Sequence, residues 1–106
     1  MKIAIVISTN DSETSWNAFR FANFCLQKGE AVKVFLIGKG VEAEQISNEK
    51  FNILEQMEKF VSSKGIIFAC GTCFKIRNSS GTELCPLSTM NDLYEMVKEA
   101  DRVITF

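Results

Sequence analysis

The stretch "KIAIVIS" (residues 2–8) runs straight into "TNDSET" (9–14) and then into "SWNAFRFANFCLQKG" (15–29), and this succession decides the fold. A continuous β-branched run without polar alternation suits a strand buried on both faces, as in a parallel sheet. The polar cluster ends it. From Glu13 to Lys28 the spacing turns helical, with Ala18, Ala22, Cys25 and Leu26 on one face. Asp11 or Ser12 is placed to cap the start, and Gly29 to stop the end.

The same alternation continues outward from this unit. "AVKVFLIG" (31–38) reads as a second strand ending in the turn "GKG". Residues 39–49 are polar and read as a loop with at most a helical turn. Phe51, Leu54, Met57, Phe60 and Val61 recur at helical spacing up to "SSKG", and "IIFA" (66–69) is the third strand. "NSSGTE" (78–83) reads as a flexible connector, and "LCPLST" (84–89) holds the only proline. Ser88 or Thr89 caps a helix over 90–100 with Met90, Leu93, Tyr94 and Val97 facing inward, and "RVITF" (102–106) is the last strand. Strands alternating with helices predict one α/β domain over residues 1–106: a three-layer α/β/α sandwich around a mainly parallel sheet of four to five strands.

Composition narrows the function. Hydrophobic residues make up 46% and charged residues 24% of the 106, which is the balance of a globular domain. Twelve Lys plus Arg against thirteen Asp plus Glu leave a net charge of −1, so no basic field exists to attract nucleic acid or an anionic membrane. The apolar run in "MKIAIVIS" is five residues long, too short for a signal peptide or a membrane span, and a cytoplasmic protein is expected. Nine phenylalanines are many for one small core, and Trp16, Phe19, Phe21 and Phe24 spread over more than one face of the first helix. Either the sheet and a neighbouring helix cover them all, or an apolar patch pairs subunits; the small size favours a homo-oligomer.

The chemistry rests on cysteine. Cys25, Cys70, Cys73 and Cys85 occur in a chain with no histidine, so the usual general base and the Cys-His pair are absent. In an open α/β sheet, functional groups gather in loops at the carboxyl ends of strands. Here those loops are "STND", "GKG" and "CGTC", within "IIFACGTCFKIR" (66–77). Asn10, Asp11, Gly71 and Thr72 are the candidate substrate contacts. Cys70 is the first residue past the third strand, where the start of a helical turn lowers a thiol pKa without histidine; Lys75 and Arg77 are secondary. As zinc ligands, Cys70 and Cys73 fall short of four even with Cys85, since Cys25 belongs to the apolar face of the first helix. No metal and no cofactor are expected. As a dithiol, CxxC at a strand-to-helix junction suits a redox pair. Burial for packing fits Cys25 best. Neither GxGxxG nor GxxxxGK[ST] occurs.

The segments "KIAIVIST", "VFLIGKGV", "IIFACGTCFKIRN" and "LCPLSTMNDLYEMVKEADRVITF" together resemble the DsrE-like family of sulfur-relay proteins, with its DsrE, DsrF and TusD type subunits. The resemblance covers nearly the whole chain. It implies an α/β/α sandwich, assembly into trimers or hexamers, and sulfur donor and acceptor proteins as partners. Cys70 matches the family cysteine that receives sulfur as a persulfide and passes it on, and Cys73 or Cys85 is then placed to resolve the adduct. A dithiol oxidoreductase using Cys70 and Cys73 is the second reading, and a non-catalytic oligomeric binding subunit the third.

Overall fold

A computed structural model describes residues 1–106. Five strands, β1 (Lys2–Ile7), β2 (Ala31–Leu36), β3 (Ile66–Cys70), β4 (Leu87–Ser88) and β5 (Arg102–Thr105), form one sheet in the order β4-β3-β2-β1-β5. Every pairing is parallel. Four helices, α1 (Ser12–Gln27), α2 (Ile53–Ser62), α3 (Gly71–Ile76) and α4 (Met90–Glu99), connect them, together with a 3₁₀ helix over Gly38–Gln45. The α/β sandwich read from the sequence is the architecture found.

The strand order dictates the layers. From β1 to β4 the chain steps steadily toward one edge, and it then returns across the sheet to β5. Right-handed crossovers therefore put α1 and α2 on one face and α4 on the other. On the first face Ile3, Ile5 and Ile7 stand in register with Val32, Val34 and Leu36, and Ile67 and Ala69 continue the row. All eight are buried. Phe19 of α1 meets Phe60 of α2 edge-on, with ring centroids 6.1 Å apart, above them. On the second face Lys33 reaches Glu99 of α4 at 3.5 Å.

Local signals set most boundaries. Asp11, one of the two candidate caps, accepts from Thr14 N–H at 2.9 Å, and Gly29 takes φ +87 after the helix. Thr89 caps α4 in a reciprocal capping box with Asp92. Residues 39–49, read as a loop with at most a helical turn, carry most of a longer 3₁₀ helix before the loop.

Two features differ from the sequence reading. β4 lay inside "LCPLST", where two residues beside a proline carry no strand signal; pairing of Ala69 with Leu87 and Cys70 with Ser88 creates it. Helix α4 is also rolled. Met96 is buried, with Leu93 and Ala100 packed on the core, whereas Met90 and Tyr94 are each 59% exposed and Val97 42%. The aromatic residues of α1 divide likewise: Phe19 is buried, Trp16 packs on Phe51 at 5.2 Å, and Phe21 and Phe24 are exposed.

Candidate functional site: a thiol pair at the carboxyl edge of the sheet

Three strand-end loops converge above the sheet. The chain leaves β3 through α3, which packs on the 3₁₀ helix, but leaves β4 for the opposite face through α4. Neighbouring strands whose connections diverge in this way open a crevice at their carboxyl ends. Cys70 stands at that point, paired in register with Ser88.

Cys70 ends β3 and is the N-cap of α3. It is only 4% exposed. Burial pushes its thiol up, the neighbouring Cys73 thiol adds to this, and the nearby main-chain N–H groups of Cys73 and Thr72 pull the other way. Burial prevails, so the acidic Cys70 thiol expected from a helix start is not what the fold produces. The six residues of α3 make a short dipole, and an ion beside the sheet is poorly solvated.

Cys73 is half-buried, and its Sγ accepts the Gly38 N–H at 3.2 Å. Its carbonyl accepts from Arg77 Nη1 at 3.1 Å. Arg77 Nε also donates to Glu42 Oε2 at 2.8 Å, and Asn10 Nδ2 donates to Glu42 Oε1 at 3.2 Å. Arg77 and then Asn10 hold the Glu42 carboxyl below its ordinary range. One chain of contacts thus joins the loop after β1, the 3₁₀ helix and α3. Arg77 is a tether within it rather than a free cation near Cys70. Gly40 lets the 3₁₀ helix lie against the end of β1, because a Cβ there would stand 2.0 Å from the Ile7 carbonyl oxygen.

The other candidates have distinct settings. Asp11 is engaged in capping α1 through Thr14, which holds its carboxyl below the ordinary range. Gly71 passes close to β4, where an added Cβ would come within 3.3 Å of the Ser88 carbonyl oxygen. Thr72 is exposed at the start of α3. Cys85 is buried, and burial followed by Glu44 pushes its thiol up to about 12. Its N–H donates to Thr82 Oγ1, which in turn donates to Glu44 Oε1 at 2.6 Å. Cys25 is buried in α1, its thiol pushed up by burial and then by Glu30. No three Cys, Asp or Glu side chains gather as a metal donor set.

Gly38 and Glu42 were not singled out from the sequence. The turn "GKG" flagged the right loop, but a main-chain donor aimed at a sulfur has no residue signature, and Glu42 is set apart by Arg77 and Asn10, 35 and 32 positions away. No helix is long and apolar enough to cross a membrane.

The chain matches the DsrE/DsrF-like family over residues 1–106. It is 39% identical to the uncharacterized protein MK0008 of Methanopyrus kandleri, with 98% of this chain and 93% of that protein covered. It is 34% identical to the uncharacterized protein MJ0989 of Methanocaldococcus jannaschii over 100% of both. The crystal structure of the ychN protein from E. coli superposes with a TM-score of 0.88 at 26% identity, covering 100% of this chain and 99% of that one.

Proposed function

The chain belongs to the DsrE/DsrF-like family, a sulfur-relay-type family, and on that premise we propose that it is a sulfur carrier in which Cys70 holds sulfane sulfur as a persulfide and passes it to a partner protein. The observation that carries this reading is the placement of Cys70 at the end of β3, paired with Ser88 at the crevice between β3 and β4, with Cys73 one helical turn on in α3. A thiolate attacks the outer sulfur of a donor persulfide, a new S–S bond forms, and the donor leaves as its thiolate. Delivery is the same step with an acceptor thiolate attacking. No electrons are gained or lost overall, so the reaction needs only thiols, which a reducing cytoplasm maintains. Burial of Cys70 suits storage, since a shielded persulfide is less open to stray thiols. Cys73 is the adjacent helper thiol, and Cys85 the second candidate for that task. The partners are sulfur donor and acceptor proteins, and the working form is a homo-oligomer.

The test is intact mass after incubation with a persulfide donor. Wild type gains one sulfur atom that survives a chase with a low-molecular-weight thiol, whereas sulfur taken up by Cys70→Ser is lost in the chase. Absence of added sulfur on wild type, or equal retention by Cys70→Ser, overturns the reading.

The same placement of Cys70 and Cys73 at the start of α3 favours a second reading, a dithiol oxidoreductase cycling between the Cys70–Cys73 disulfide and the two thiols. A redox titration giving a defined potential between those of thioredoxin and glutaredoxin supports it. Failure of the bond to form under mild oxidant removes it.

A further inference from the structure

We propose that Cys73, and not Cys70, is the thiol that first meets the sulfur donor, and that sulfur reaches Cys70 from Cys73. The inference deepens the sulfur-carrier reading and rests on it for the chemistry, but the order of the two thiols is carried by geometry alone.

Three observations fix the order. The first is access: Cys70 is 4% exposed under the β4 edge, whereas Cys73, packed on the rim of the core, is only half-buried. A donor persulfide carried on another protein must bring its outer sulfur into line with the attacking sulfur, and an enclosed thiol denies that approach. The second is the main-chain donor. Gly38 N–H points at Cys73 Sγ from 3.2 Å, so a sulfur anion on Cys73, thiolate or persulfide, has a fixed partner supplied by the 3₁₀ helix. The third is anchorage, since Arg77 holds the Cys73 carbonyl at 3.1 Å while its guanidinium is held by Glu42 at 2.8 Å. The outer cysteine is therefore positioned from both its side chain and its backbone.

The steps balance without an added oxidant or reductant. The Cys73 thiolate attacks the outer sulfur of the donor persulfide; the Cys73–sulfur bond forms, the donor sulfur–sulfur bond breaks, and the donor departs as a thiolate. The Cys70 thiolate then attacks the outer sulfur on Cys73, giving the Cys70 persulfide and returning Cys73 to a thiolate. The Cys70 proton passes to solvent or to the released Cys73 sulfur. Attack by Cys70 on the inner sulfur would instead give the Cys70–Cys73 disulfide and hydrosulfide, a side path that a mass measurement distinguishes. Delivery runs through Cys73 in reverse. This order inverts the positions in the motif: the second cysteine receives and the first stores.

Two measurements on the full chain test the order. Brief alkylation with iodoacetamide near neutral pH, read by peptide mass spectrometry, is expected to label Cys73 faster than Cys70 by about tenfold or more. Incubation with a low-molecular-weight persulfide should load Cys70→Ser at the wild-type initial rate, with the sulfur located on Cys73, and should load Cys73→Ser about tenfold more slowly or worse. Cys73→Ala replaces Cys73→Ser if circular dichroism shows the latter misfolded. Faster labelling of Cys70, or wild-type loading of the Cys73 variant, overturns the proposal. If no variant and no wild type takes up sulfur, the carrier reading falls, and the alkylation rates alone decide which thiol is outermost.

Discussion

Arg77 and Glu42 are joined by a 2.8 Å hydrogen bond from Nε to Oε2, and this contact ties α3, which carries Cys73, to the 3₁₀ helix that carries Gly38. The two residues touch neither sulfur. They are positioning residues, acting through the Cys73 carbonyl and the register of the Gly38 N–H.

Loosening that tether should unshield the inner thiol. Glu42→Gln or Arg77→Gln is expected to raise the alkylation rate of Cys70 relative to Cys73 while the far-ultraviolet dichroism stays unchanged. The pH dependence follows from the carboxyl. Arg77 and Asn10 hold Glu42 below its ordinary range, so its contribution is present above the unfolded carboxyl pKa and is lost as pH falls through the lowered folded one. Thermal melts at descending pH check this: the acid limb of Glu42→Gln should be flatter than that of wild type. Parallel limbs would remove Glu42 from this role.

Cys85 should make the protein sensitive to alkali. Its thiol is pushed from 9.0 to about 12, so the folded state holds the proton more tightly than the unfolded chain. Stability is intact below pH 9 and falls as pH rises toward 12, by at most about 4 kcal/mol from this group. Cys70 and Cys25 act with the same sign. Urea midpoints measured across that range should fall less steeply for Cys85→Ala than for wild type, whatever the offset at neutral pH. An unchanged slope counts against the buried thiol as the cause.

Gly40 should tolerate no side chain. A Cβ would stand 2.0 Å from the Ile7 oxygen and 2.8 Å from its carbon, both main-chain atoms that cannot swing aside. Gly40→Ala is expected to lower stability by about 1–3 kcal/mol, with the 3₁₀ helix displaced from β1. Denaturant titration gives the magnitude. Labelling of Cys73 should change along with it, because Gly38 moves with the same segment.

The exposed stripe on α4 should be the contact between copies. Met90, Tyr94 and Val97 follow at helical spacing, each well exposed in one chain, and β5 lies at the sheet edge beside them in sequence. Sedimentation of wild type is expected to give a trimer or hexamer, and Tyr94→Lys with Val97→Glu a folded monomer. A monomeric wild type would refute this, and an oligomer that survives both substitutions would place the contact elsewhere.

The sequence by itself determined the class of fold and most of its elements, because these follow from local patterns: the β-branched run of β1, the helical recurrence of Met57 and Phe60 in α2, and the capping residues Asp11 and Thr89. It also brought Cys70 to a strand end, since the break from "IIFA" to "CGTC" is local too. Tertiary structure alone decided the rest. β4 exists only through its pairing with Ala69 and Cys70, and the roll of α4 depends on the sheet face beneath it. Burial, which no neighbour in sequence reports, pushes the Cys70 thiol up. The Gly38–Cys73 and Glu42–Arg77 contacts join the 3₁₀ helix to α3 and its cap, and contacts between residues 35 positions apart leave no periodicity to read. Which of two cysteines is the more deeply buried is a property of how the chain folds back over them, and so it was the fold that told them apart.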